Sequence, residues 1–259
     1  MASDEILYHY TTQQGFLGIL KDREIWASSI LHLNDASEFR YGVDIALRAA
    51  RTMRMTPDAP QRVQKVISAF QFILDVFVAS FSSNGDELGQ WRAYGQHGGL
   101  SIGFDVASLR TLATRQDYRL QKCNYDPEQH DAEIKKVIEE MVQALPSPEA
   151  PFSLLRKFMS LAPIFKHSSF KGEEEWRLFT VLPILHAKRA EFRVGKSFIV
   201  PYRKFSLAES PDGPLPIRRI VVGPTPHADL LERTVRACLF NHGVKSSEVV
   251  KSDIPYRDW

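Results

Sequence analysis

Cysteine is nearly absent: only Cys123 and Cys238 occur, neither close to a second cysteine nor at metal-ligand spacing. That excludes a disulfide framework and a thiolate zinc motif, and it fits a reducing cytoplasm. An excess of one charge is also lacking. Lys plus Arg total 33 against 31 Asp plus Glu, and a net charge of +2 sets up no field strong enough to imply nucleic acid by itself. No apolar run approaches the roughly 20 residues that span a bilayer. The longest, AFQFILDVFVASF at 69–81, is too short and contains Asp75. The opening MASDEI has neither the basic start nor the apolar centre of a signal peptide. Low-complexity tracts are missing, as are repeats with periods of about 20 to 50 residues, which rules out a disordered chain or a solenoid. These absences predict a cytoplasmic protein with no membrane segment.

What is present is a globular composition, 44% hydrophobic and 25% charged over 259 residues. That length suits a single domain over 1–259. Aromatic-rich ILYHYT at 6–11 predicts a strand, and Thr12 caps a helix over QQGFLGILKD with Phe16, Ile19 and Leu20 at helical spacing. IWASS at 25–29 is a second strand and LHLND at 31–35 a loop. Asp35 or Ser37 then caps a helix striped by Phe39, Val43, Leu47 and Ala50. Helical spacing recurs over 61–75, FVASFS at 77–82 and LSIGFD at 100–105 are strands, and 83–99 reads as a turn-rich connection. Helices follow over 131–145 and 152–166, strands over 174–182, 197–205 and 217–223, and a last helix over 227–242 stopped by Asn241 and Gly243. Strands and helices are grouped more than alternated, so the expected class is α+β. The strand-rich core spans about 6–105 and 170–259, with a helical insertion at about 127–168.

Walker, G-x-G-x-x-G, H-E-x-x-H and G-x-S-x-G signatures are all absent. Four stretches carry chemistry instead, each with a structural alternative. His9, between Tyr8 and Tyr10, reads as a ligand-facing group or as a buried polar side chain that has found a partner. In KGEEEWRLF, a strand starting near Glu173 puts Glu173 and Glu175 on one face, suited to meeting positive charge. The alternative is a solvated acidic turn with Arg177 as its counter-ion. In SFSSNGDELGQWRAYG, Ser80 and Ser82 share a side, while Trp91, Arg92 and Tyr94 offer a stacking plane and a charge fork, or simply anchor a loop. Asn34 and Asp35 in LNDASEF read as a turn and cap.

Taken in order, LYHYTTQQGFLGIL, LNDASEFRYG, FSSNGDELGQWRAYG with GGLSIGFD, EEEWRL, and VVGP with SDIPYR resemble a bacterial domain-of-unknown-function family, number two-nine-seven-one, along nearly the whole chain. The same order is similar to the ADP-ribosyltransferase superfamily. That resemblance implies two packed small β-sheets around a cleft with flanking helices, and NAD as the substrate that supplies ADP-ribose to a macromolecular acceptor, protein or nucleic acid. It places His9 in the first-strand histidine position, with Tyr10 where many members have Gly, and Glu175 in the catalytic glutamate position with Glu173 ahead of it. His9, Tyr10, Thr11, Trp26, Ser82 and Arg92 form the implied nucleotide-binding set, with Arg40 a second choice for the pyrophosphate. The implied chemistry needs no metal, and a toxin or phage-defence role is the implied setting. Two rivals stand beside it. One is a nucleic-acid binder or enzyme using Trp91, Arg92, Tyr94 and the basic stretches 186–193 and 217–219. The other is a nucleotide-binding module without catalysis.

Overall fold

The structure is a computed structural model that describes residues 5–33, 37–52, 61, 64–65, 74–95, 98–144, 150–183, 190–195, 197–244 and 247–255, with the backbone alone at 37–40, 141–144 and 150–155. Its strands are β1 (Ile6–Thr11), β2 (Glu24–Ser29), β3 (Leu74–Ser82), β4 (Leu100–Asp105), β5 (Arg119–Lys122), β6 (Glu175–Pro183), β7 (Glu191–Val194), β8 (Ile199–Ser206), β9 (Ile217–Val222) and β10 (Glu248–Lys251). Its helices are α1 (Gln13–Asp22), α2 (Ser37–Thr52), α3 (Leu88–Tyr94), α4 (Val106–Arg115), α5 (Pro127–Ala144), α6 (Ala150–Leu161) and α7 (Ala228–Asn241). The class is α+β with one large mixed sheet. The resemblance implies two packed small sheets, but among the described residues ten strands are hydrogen-bonded into one sheet, in which only β9 and β10 pair in parallel.

The sheet forks at β3. Strand β6 pairs with one edge of β3 over its full length, from Leu74↔Pro183 to Ser82↔Glu175. Strands β1 and β2 must therefore share the other edge. β1 meets it at Tyr8↔Ser82 and β2 at Ser28↔Val78 and Ser29↔Phe77, and between those points the two strands part. Beyond β1 lie β4, β9 and β10; beyond β2 lie β8 and β7.

Alternation along the strands gives the sheet two different faces. One carries a large apolar cluster in which Leu7, Phe77, Ala79, Phe81 and Phe104 meet Phe16 and Leu20 of α1, Leu109 of α4 and Leu239 of α7. On the other, two apolar clusters stand out among the described residues. Val76, Val78 and Phe179 pack under α2, α5 and α6, while Tyr8, Tyr10, Trp91 and Val221 form a small separate cluster.

Local chemistry sets the element ends. Thr12 caps α1 by accepting the Gly15 amide at 3.1 Å, and Arg23 closes it in a left-handed turn with φ 58°, so β2 begins at once. The stretch 83–99 is expected to be a turn-rich connection, but it contains α3, capped by the Glu87 carboxylate on Gln90 N. Tyr10 ties this segment to the sheet: its hydroxyl donates to Asn84 O at 2.9 Å and accepts from Glu87 N at 3.0 Å. Trp91 is fully buried, its Nε1 bonded to Asp86, which also accepts from Ser252 Oγ and Asp253 N of the C-terminal segment. This corrects Trp91 as a stacking plane, because both ring faces are inside the molecule.

Three further expectations change. The inward face of α2 is Ile45, Ala46, Ala49 and Ala50, with Val43 and Leu47 only half-buried. Leu74 begins β3 and does not end a helix; Val63, Ile67 and Phe70 lie outside the described residues, as do Asn34 and Asp35. The helix expected to reach 166 ends at Leu161 in a 3-10 turn, after which Phe165 forms a bridge to Asn124. Helix α4 and the short strands β5, β7 and β10 are additions to the sequence reading.

Replacing Tyr10 by Phe leaves Asn84 O and Glu87 N without their partner. The expected cost is about 1–3 kcal/mol, read as a lower urea midpoint with unchanged far-ultraviolet circular dichroism. An unchanged midpoint would show that the hydroxyl does not hold the segment.

Candidate functional site

Between the two apolar clusters of the second face runs a polar strip: Ser28, Ser80, Ser82, Glu175 and Arg177. Every one of these but Ser80 is buried. Polar side chains set into a sheet face at such depth need partners, and the partners define the site.

At its centre, Glu175 opens β6. Its Oε1 accepts from Arg177 Nε at 2.8 Å, and its Oε2 accepts from Lys166 Nζ at 2.6 Å and from Arg177 at 3.0 Å. Lys166 reaches on to Glu173 Oε2 at 2.7 Å, and Arg177 donates to Pro163 O at 2.6 Å. Two carboxylates thus meet two cations, and Lys166, Glu175 and Arg177 are at most 4% exposed. Burial pushes the Glu175 carboxyl up, but the charges and hydrogen bonds of Arg177 and Lys166 outweigh it and hold the pKa down at about 2. Glu175 is therefore ionised at neutral pH.

The path of the chain explains this cluster. Glu173 and Glu175 are expected to alternate on one strand, but β6 starts at Glu175 and Glu173 ends a 3-10 turn. Glu174 between them takes a left-handed conformation with φ 45°, and its carboxylate is hydrogen-bonded by Ser83 Oγ. The two carboxylates meet through Lys166 and not through strand alternation. Ser82 fixes the turn by donating to Glu173 O at 2.9 Å, and Tyr125 accepts the Glu175 amide at 2.8 Å. The side chain of Glu173 keeps 32% of its surface exposed, so the cluster opens to solvent there.

His9 stands on the other side of β3. Ser83 N bonds to Glu174 O, so along β3 the polar groups of Ser82, Ser80 and Val78 point away from β6 toward the fork. Ser82 is met by β1 and Val78 by β2. The Ser80 carbonyl falls where both have parted, and His9 Nδ1 meets it at 2.9 Å. A carbonyl only accepts, so Nδ1 carries the proton. Burial lowers the His9 pKa below its ordinary 6.5, against the opposing effect of the Ser80 bond, so the ring is neutral and Nε2 is an acceptor. No hydrogen bond to Nε2 occurs among the described residues.

The site residues expected from sequence fall into separate groups. Ser82, Glu173 and Glu175 come together. Tyr8, Ser82 and Glu175 stand in one row and share a face, so alternation turns His9 to the opposite face, against Phe81 at 5.6 Å between ring centroids. Tyr10 belongs to the Trp91 cluster, edge-on at 4.7 Å. Thr11 ends β1 opposite Leu100. Trp26 is 43% exposed and stacks on Tyr202 at 4.4 Å. Arg92 lies on the exposed side of α3. The Arg40 side chain and basic residues 186–189 lie outside the described residues. Lys166 and Tyr125 are the residues that sequence reading missed. Their only signal is a lysine inside apolar PIFK shortly before an acidic run.

Among the described residues no group of three or more His, Cys, Asp and Glu could hold a metal, and no helix is long and apolar enough to cross a membrane. A family model described as protein of unknown function (DUF2971) matches residues 90–178, a span that includes Lys166, Glu173, Glu175 and Arg177. No curated protein and no solved structure matches.

Two outcomes follow from the ion cluster. Lys166→Met leaves buried Glu175 short of a cation and is expected to cost about 3–5 kcal/mol in urea denaturation at neutral pH. The folded-state pKa of Glu175, about 2, lies below its ordinary value of 4.5, so the unfolded chain binds the proton first. The stability it contributes is complete above pH 4.5 and lost as pH falls toward 2, about 3 kcal/mol in all. Glu175→Gln should flatten the stability profile across that window; an unchanged slope would contradict the assignment.

Proposed function

We propose that this chain is an NAD-dependent ADP-ribosyltransferase-like protein that takes the dinucleotide at the fork of the sheet and passes ADP-ribose to a macromolecular acceptor. The observation that carries the reading is Glu175: a buried carboxylate, kept ionised and held by three hydrogen bonds. When the bond from ribose C1′ to nicotinamide breaks, nicotinamide leaves with the electron pair and positive charge develops on the ribose. A fixed carboxylate in a water-poor setting stabilises that charge without reorganising. Oε1 accepts one hydrogen bond, so a second lone pair remains for a ribose hydroxyl. Glu173, at the exposed rim, takes the proton that the acceptor nucleophile loses as it bonds to C1′.

The remaining roles follow from what each side chain offers. His9 Nε2 accepts from a hydroxyl of the adenosine ribose, Trp26 gives its open ring face to nicotinamide, and Arg92 meets the pyrophosphate. Tyr10, Thr11 and Ser82 shape the walls. Since His9 and Glu175 face opposite layers, a ligand that meets both has to lie through the fork, where β1 and β2 have separated.

A second reading is a nucleotide-binding module without catalysis. Its support is the pair of cations on Glu175, which already balance the charge that catalysis would use.

Release of nicotinamide from NAD separates the two. The first reading expects release by the wild-type protein, a fall of about a hundredfold or more in Glu175→Gln, and weaker NAD binding in His9→Ala by calorimetry. Circular dichroism checks that both variants fold, and Glu173→Gln at the rim provides a variant with less structural risk. NAD binding without release supports the module, and neither binding nor release overturns both readings.

A further inference from the structure

The order of strands ends at β7, whose outer edge is unpaired among the described residues. Gly195 N donates to Phe198 O at 2.9 Å and closes the hairpin to β8. In an antiparallel ladder the inward-pointing polar groups alternate, so those of Arg193 and Glu191 also point to β8, and those of Phe192 and Val194 point outward. Pro201, which has no N–H, sits opposite Phe192, where no ladder bond is needed. The outer edge therefore presents two backbone N–H and two C=O groups ready for another strand.

Side chains on this edge are exposed and apolar on one face. Phe192 is 66% exposed, Val194 88% and Ile199 65%, and the register puts them with Pro201 on the same side. The other face carries Glu191, bonded to Tyr202 and Lys204, and Arg193, bonded to Ser28. Edge strands usually keep copies apart with charges of one sign. Here the order of charges does the reverse. If EFRV pairs antiparallel with its own copy about Phe192, each Glu191 stands opposite Arg193 of the second copy, and Phe192 opposite Phe192 with outward-pointing polar groups in register. The other free edges among the described residues have no such match: centred on Leu120, the RLQK of β5 sets Arg119 against Gln121, and centred on Val249, the EVVK of β10 sets Glu248 against Val250.

We infer that the chain forms a two-fold dimer in which β7 pairs antiparallel with β7 of a second copy, centred on Phe192, joining two sheets into one. The contact is isologous, so it closes at two copies and leaves no further free edge on that side. It is independent of the NAD reading.

Light scattering coupled to size exclusion, on the full chain at tens of micromolar, tests it. The expected wild-type mass is that of a dimer. Phe192→Pro removes an outward N–H that the hairpin does not use, and Arg193→Glu sets like charges face to face. Each should weaken dimerisation by about tenfold or more with unchanged circular dichroism. A monomeric wild type overturns the proposal, even if the edge captures a strand of another protein. A dimer that survives both substitutions also overturns it, because another surface then holds the copies together.

Discussion

One strand edge shared by two strands governs this molecule. Because β6 takes one edge of β3 completely, β1 and β2 compete for the other, and neither can cover it. A sheet interior does not tolerate an unmet carbonyl. At Ser80 the vacancy is met by an imidazole and not by a strand, which fixes the tautomer and the position of His9. The fork also separates the apolar cluster under α2, α5 and α6 from that around Trp91, and the polar strip lies between them.

The strip brings with it the buried ion cluster. Removing Lys166, Glu175 and Arg177 from water carries a desolvation cost that pairing offsets only when the geometry is good and the remaining donors are met. Here Pro163 O and Glu173 provide those partners. Apolar residues of similar size would fill the space with less penalty, so the cluster is better explained by what an ionised, immobile carboxylate does than by stability. Its placement depends on the left-handed Glu174 and the Ser82 hydroxyl, which turn the chain so that Glu173 and Glu175 approach the same ammonium group.

Much of this was legible in the sequence. Aromatic enrichment predicts β1, the Thr12 hydroxyl marks the start of α1, and Arg177 is visible as a counter-ion to the glutamates. The face of Glu173 was misread because the strand period was extended two residues too far, into a turn whose conformation is set by contacts with β3. Lys166 was missed because a single lysine in an apolar segment has no period, and its burial depends on a carboxylate that only the fold brings near. Of the two sequence readings of Trp91, a stacking plane or an anchor of the loop, the structure bears out the anchor: the short helix α3 and Asp86 turn it inward. Asp105, which caps α4 through the Ser108 amide, was a readable signal for a helix that the sequence reading passed over.

The central claim is that the fork is a nucleotide site in which neutral His9 accepts through Nε2 while Nδ1 stays bound to Ser80. Nitrogen-15 spectra of the His9 ring, recorded as NAD is added, test it most directly. The account predicts a neutral Nδ1–H tautomer throughout, with the Nε2 resonance moving as a hydroxyl donates to it. A ring that is charged at neutral pH, or an Nε2 resonance unmoved by saturating NAD, would contradict it.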